Sequence, residues 1–129
     1  MIYCIDTCFY SRMRRGDKAL QAFMEQATVL IVPVIVVGEL LAGFEMGNRM
    51  MENESLLSAF LLSPGIQVQE IDQKIARRYG NLVKLLRNAG TPIPTNDIWI
   101  ASTAIELSAR LITYDQHYCC VPGLNTDAP

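Results

Sequence analysis

Four carboxylates in this 129-residue sequence stand where an acid needs a reason to be. Asp6 closes the apolar run Ile2-Tyr3-Cys4-Ile5, and Asp115 closes a second run, Leu111 to Tyr114. Glu39 is the only ionisable residue between Glu25 and Glu45, in a stretch dominated by Val, Ile and Leu. Asp97 belongs to Pro94-Thr95-Asn96-Asp97, whose side-chain oxygens suit the unpaired amides of a helix's first turn. The helix dipole favours the charged form of an acid there, so Asp97 is expected to be either an anchor or a ligand. If the four gathered, each pair at ~4 Å would repel by about 4 kcal/mol at an effective dielectric of ~20. Protonation would relieve that, and so would a divalent cation. Oxygen ligands without imidazole or thiolate suit Mg²⁺ or Mn²⁺, an ion that polarises phosphate and activates water. Taken singly, each acid also has a plain structural explanation. Asp97 can be a helix start, Asp6 and Asp115 strand-end turns, and Glu39 half of a salt bridge to an arginine such as Arg12.

What must position these groups is a string of alternating strands and helices. Ile2 to Ile5 is apolar without alternation, as in a strand buried on both faces, and Val29 to Val32 is similar. Ile66 to Ile71 alternates apolar and polar, so it predicts a strand with one wet face near a sheet edge. Arg110 to Tyr114 is a further short strand, and Val121 to Leu124 suggests a last, proline-limited edge strand. Between them, a short helix after Asp6 ends in the basic turn Arg12 to Lys18, and Asp17 can cap a second that ends near Thr28. Pro33 suits the first position of the helix carrying Glu39. Asn48 to Leu62 forms a further helix, and Asp72 to Gly90 another, with Ile75, Tyr79, Leu82 and Leu86 inward. The order predicts an α/β three-layer sandwich: a mostly parallel sheet of about four to five strands with helices on both faces. In such sheets ligands sit beyond the carboxyl ends of the strands. With the first strand central and paired to the strand before Asp115, Asp6 and Asp115 share one lip and the helix start at Asp97 can lie over them.

Length and composition agree with a single domain over residues 1–129, since 50% hydrophobic and 19% charged residues describe a chain that folds around a core. A net charge of −2 advertises no nucleic-acid partner globally, so any such partner is recognised locally. Thr28 to Phe44 is short for a bilayer and carries Pro33, Gly38, Glu39 and Gly43, which argues against a membrane span. The first residues lack a basic segment and reach Asp6 too early for a signal peptide, so a cytoplasmic location is expected. Cys4, Cys8, Cys119 and Cys120 are then expected to be reduced.

The residues carry a resemblance. Asp6-Thr7 after the first strand, the isolated Glu39, Asn96-Asp97-x-Trp99-Ile100-Ala101, and Thr113-x-Asp115 resemble, in order, the four acidic motifs of the PIN domain. Within that group the chain is similar, over essentially its whole length, to VapC-type ribonuclease toxins of toxin-antitoxin pairs. The resemblance implies that Asp6, Glu39, Asp97 and Asp115 hold Mg²⁺ or Mn²⁺ and that a metal-activated water cleaves an RNA phosphodiester. It implies supporting roles for Thr7, for Thr113 in the fourth motif, and for Asn96 in orienting Asp97 or the water. It also implies a cognate antitoxin and a homodimer. The sequence departs from the pattern at Cys8, where a polar residue usually follows Asp-Thr.

Other groups admit two explanations. Arg12, Arg14, Arg15 and Lys18 could grip RNA phosphates beside the acids or simply solvate a helix end. Phe44, Met46, Met50 and Met51 could form an adaptable groove for a partner helix or pack into the core. His117 with the four cysteines could bind zinc, but the spacings match no standard finger. The competing function is a catalytically inactive PIN-like module that binds RNA or a protein partner. A haloacid-dehalogenase-type phosphatase would need a second Asp where Cys8 stands. A response-regulator receiver would need an acidic pair after the first strand and a late-strand Lys, and neither is present.

Overall fold

The computed structural model of the protein describes every residue from Met1 to Pro129. The strands are β1 (Ile2–Ile5), β2 (Val29–Pro33), β3 (Ile66–Gln69), β4 (Arg110–Ile112) and β5 (Thr126–Asp127). The helices are α1 (Thr7–Arg14), α2 (Lys18–Gln26), α3 (Val34–Met46), α4 (Met50–Leu61), α5 (Gln73–Asn88) and α6 (Thr95–Glu106), followed by a 3-10 turn at Gln116–Cys120. All five strands are parallel, in the order β3-β2-β1-β4-β5. The α/β sandwich and the central place of the first strand are as expected. Cys4 stands opposite Ile31 on one side and Leu111 on the other.

Successive strand side chains point to opposite faces, so a strand buried throughout is covered on both. Tyr3, Cys4 and Ile5 are all buried, and the central core gathers Leu30, Val32, Ile100, Ala101, Leu111 and Ile112 around them. β3 is an edge strand, as expected, but its apolar residues do not all face inward: Val68 is exposed while Gln69 is half-buried. No helix is long and apolar enough to cross a membrane.

Capping follows the sequence at Asp17 and Asp72, and Asp6 proves to be a third cap that the sequence reading did not name. Asp6, Asp17 and Asp72 each accept from a backbone amide of the helix they open. Elsewhere the structure corrects the expectation. Thr95 and Asn96 do not cap α6; Pro94 holds the cap position without a side-chain bond, and its carbonyl accepts from the Asp97 and Ile98 amides. Pro33 ends β2 as the residue before α3 and is not the helix's first residue. Val121 to Leu124 is not a strand. Pro122 offers no N–H and Gly123 turns at φ 81°, so the edge forms two residues later, where Leu111 and Thr113 donate to the carbonyls of Asn125 and Asp127.

Candidate acidic site

β1 and β4 pair through Ile5 and Ile112, so the chain leaves both strands at the same lip. Asp6 and Thr113 are the first residues beyond it. Their side chains meet there: the Thr113 hydroxyl donates to Asp6 Oδ2 at 2.6 Å, across 107 residues of sequence. Asp6 Oδ1 accepts from the Phe9 amide at 2.9 Å, the first-turn bond that opens α1. Asp6 is only 5% exposed, and its carboxyl is pushed above the ordinary value. Burial is the main cause; the bonds from Thr113 and Phe9 pull the other way, and the charges of Asp97 and Asp115 add to the upward push.

Thr113 also accepts from the Asp115 amide at 3.0 Å, so one hydroxyl ties the first and fourth acids together. Asp115 opens the 3-10 turn, accepting from the His117 amide at 3.2 Å. The next residue in that turn, Tyr118, is buried and donates its hydroxyl to Asp97 Oδ1 at 2.9 Å. Burial, then the charges of Asp97, Asp6 and Glu39, hold the Tyr118 phenol far above its usual range, so it stays a donor. Glu39 projects from α3 to accept from Thr7 at 2.7 Å, the residue next to Asp6. Its partner is a hydroxyl; no arginine, Arg12 included, pairs with it. Asp6, Thr7, Glu39, Asp97, Thr113 and Asp115 are thus brought together, from four segments of the chain.

Two residues of this network carry no acidic motif, and sequence reasoning missed their part in it. One is Tyr118. The other is His117, the chain's one histidine, which lies between two of the acids. Its Nε2 is 2.8 Å from Asp97 Oδ2 and its Nδ1 is 2.9 Å from Asp115 Oδ1. The buried Nε2 is close to its oxygen but off the hydrogen-bond axis, so the contact is ionic when the ring is protonated and is not a directed bond. The available signal was position: two and three residues past a motif acid, on the turn that acid caps. The zinc arrangement is not formed, since Cys4 is buried while Cys8, Cys119 and Cys120 are exposed. No three His, Cys, Asp or Glu side chains form a group set to hold a metal ion. The donors are nonetheless of the right kind for a hard cation: carboxylate oxygens, with the charges of Asp97 and Asp115 raising the proton affinity of Asp6.

The basic turn divides. The Arg12 guanidinium lies 3.9 Å over the Tyr114 ring, near Asp17, and helps line a cavity of about 290 Å³ with Cys8, Asp115 and Gln116. Arg14 turns away to the Tyr10 hydroxyl and the Leu56 carbonyl. Arg15 and Lys18 are exposed, as is Asn96, which has no side-chain hydrogen bond to Asp97. Cys8, at the departure from the usual pattern, is half in the cavity wall; burial and then the nearby Asp6 charge push its thiol up, so it is not a thiolate.

A family model of the PIN domain matches residues 3–124. This chain belongs to the PIN-domain family. Among curated proteins, this PIN domain is similar to Ribonuclease VapC1 of Haemophilus influenzae, 31% identical over 119 residues, covering 89% of this chain and 87% of the relative. It is also similar to Ribonuclease VapC4 of Mycobacterium tuberculosis, 31% identical over 93 residues and 72% of each chain. Among solved structures it resembles VapBC2 from Rickettsia felis bound to a DNA fragment from their promoter. That match has a TM-score of 0.89 and 26% identity, over 99% of this chain and 98% of the other. VapBC-1 from nontypeable Haemophilus influenzae matches with the same TM-score, at 25% identity over 99% and 98% of the two chains.

Proposed function

We propose that this PIN domain is a metal-dependent endoribonuclease and acts as the toxin of a toxin-antitoxin pair. The observation that carries the proposal is the meeting of Asp6, Asp97 and Asp115 closely enough to feel one another's charge, with Glu39 joined to them through Thr7. Acids in one another's company without a cationic Lys or Arg partner are costly unless a ligand repays the cost. The family relationship, and relatives named as VapC ribonucleases, support RNA as that ligand's substrate.

Asp6, Glu39, Asp97 and Asp115 would hold Mg²⁺ or Mn²⁺, which when bound polarises the phosphodiester and activates water for in-line attack. The chain's own residues prepare the site. Thr113 and the Phe9 amide fix both oxygens of Asp6, Thr7 orients Glu39, and Tyr118 orients Asp97. Arg12, held over Tyr114 at the cavity beside Asp115, would offer its guanidinium to an RNA phosphate, and Arg15 and Lys18, which are exposed, would add to the phosphate contacts. Asn96, at the open mouth of α6, is free to meet substrate.

The partner of the proposal is an antitoxin protein, as the likeness to VapBC assemblies supports. Met46, Met51 and Leu62 are more than four-fifths exposed, which gives such a partner apolar surface to cover. A homodimer and a cytoplasmic location complete the proposal. The alternative, an inactive module that binds RNA or protein, has one observation in its favour, the imidazole between Asp97 and Asp115. Retention of all four acids opposes it. RNA cleavage by the purified chain with Mg²⁺ or Mn²⁺, abolished by Asp6→Asn and by Asp97→Asn, is the expected result. Undiminished cleavage by both variants would remove the acids from the reaction, and wild-type inactivity across metals and RNAs would favour the inactive module.

A further inference from the structure

The one imidazole of the chain occupies the gap that a cation would need. Two oxygens bound to one Mg²⁺ at about 2.0–2.1 Å can stand at most ~4 Å apart. Asp97 Oδ2 and Asp115 Oδ1 instead contact opposite nitrogens of the His117 ring, at 2.8 and 2.9 Å, with the width of the ring between them. This accounts for a pocket rich in acids in which no three donors are set for an ion. Resting on the metal-site assignment above, we infer that His117 is an internal occupant of the cation site, and that its side chain swings out when a divalent ion is bound by Asp97 and Asp115 together.

The local structure is built for that movement. His117 sits in a 3-10 turn of five residues, and its side chain is 30% exposed, so a path to solvent lies open without disturbing the core. Its neighbour Tyr118 is 2% exposed and anchored on Asp97, so the turn stays in place while the ring leaves. The ring's inner edge has no directed bond: Nε2 is buried, 2.8 Å from Asp97 Oδ2, without an aligned hydrogen bond. Its one aromatic contact, with Tyr118 at 4.7 Å between centroids, is tilted and not stacked. When the ring leaves, the Asp97 oxygen that Tyr118 does not hold, Oδ2, is the one released, together with Asp115 Oδ1. A site that must first expel its occupant binds with an affinity reduced by the fraction of molecules already open.

Titration of the purified chain with Mn²⁺ at one fixed pH, followed by calorimetry or by the spin resonance of free Mn²⁺, tests this without any RNA. His117→Ala is expected to bind Mn²⁺ about tenfold or more tightly than wild type. His117→Ser, which is too short to fill the gap between Asp97 and Asp115 but stays polar, serves if the alanine variant melts abnormally, and it too should bind more tightly. Crystals of the wild type grown with Mn²⁺ should show the ring turned to solvent. Equal or weaker binding in both variants, or a wild-type complex with the ring unmoved, would overturn the role given to His117 while leaving the cation site standing. Absence of Mn²⁺ binding in wild type and in both variants would remove the site itself, and the inference with it.

Discussion

β4 has a carboxylate beside it on each flank, and the two are treated in opposite ways. On one side, Asp6 at the end of β1 is buried among other acids, and its carboxyl is pushed up, by burial first. On the other side, Asp127 in β5 receives both Nε and the terminal nitrogen of Arg110, at 2.7 and 2.9 Å, and the bond to Arg110 holds its carboxyl below the usual value. Asp127 is an anchor. It closes a short edge strand of two residues to the sheet, and its charge is answered inside the fold. Asp6 is answered only by neutral donors, Thr113 and an amide, which orient a carboxylate without cancelling it. The difference teaches that the fold answers one carboxylate beside β4 with an arginine and the other with none, which is what the cation site proposed above requires.

The largest test of that contrast is activity. Asp6→Asn should cost more than ~100-fold in RNA cleavage, beyond the 10–100-fold typical of outer-shell partners, whereas Asp127→Asn should leave cleavage near wild type. Equal losses would erase the distinction between ligand and anchor. Next comes Thr113→Val, which strands a buried Asp6 oxygen. It should lower Mn²⁺ affinity by roughly 10–100-fold and destabilise the metal-free chain by about 1–3 kcal/mol in urea unfolding. A variant with wild-type affinity would show that the hydroxyl does not position Asp6.

A smaller effect sharpens the comparison through pH. The folded-state pKa of Asp6 is raised, so its contribution to stability is fully present below the ordinary 3.8 and is lost as pH rises through the raised value. In metal-free protein the melting temperature of Asp6→Asn minus that of wild type should therefore grow as pH climbs from about 4. Asp127 has the opposite sign. Its lowered folded-state pKa gives stability present above 3.8 and lost as pH falls through the lowered value, so Asp127→Asn should do harm near neutrality and little in strong acid. The pair is partly exposed, so that harm is the smallest of the series, no more than about 1 kcal/mol and less in high salt. Parallel pH slopes for the two variants would contradict the assignment.

Most of the fold was legible because its signals are local. Continuous apolar runs marked β1 and β2 as doubly covered strands, alternation marked β3 as an edge, and Asp17 and Asp72 announced their helices by amide spacing alone. The edge strand was misplaced by a few residues. Pro122-Gly123 shifts the chain before it can pair, and the ladder it joins is chosen by the distant amides of Leu111 and Thr113. At the site, the sequence marked the four acids, since each stands at an element's end or alone in an apolar stretch, while Thr113 was marked only by the family resemblance. It did not mark Tyr118 as the donor to Asp97, nor separate Arg12 from Arg14, because adjacent helix positions face different surroundings that only packing supplies.

The order of strands and helices, the buried first strand and the identity of the acids were determined by the sequence itself, through periodicity, capping and the cost of a charge among apolar neighbours. Only the tertiary structure decided that one threonine would hold two acids 109 residues apart in number, Asp6 and Asp115, and that a histidine would lie across the gap between Asp97 and Asp115. Those contacts have no local signature. They exist because parallel pairing carries β1 and β4 to a common lip, and the identity of a side chain does not say what a distant strand will bring beside it.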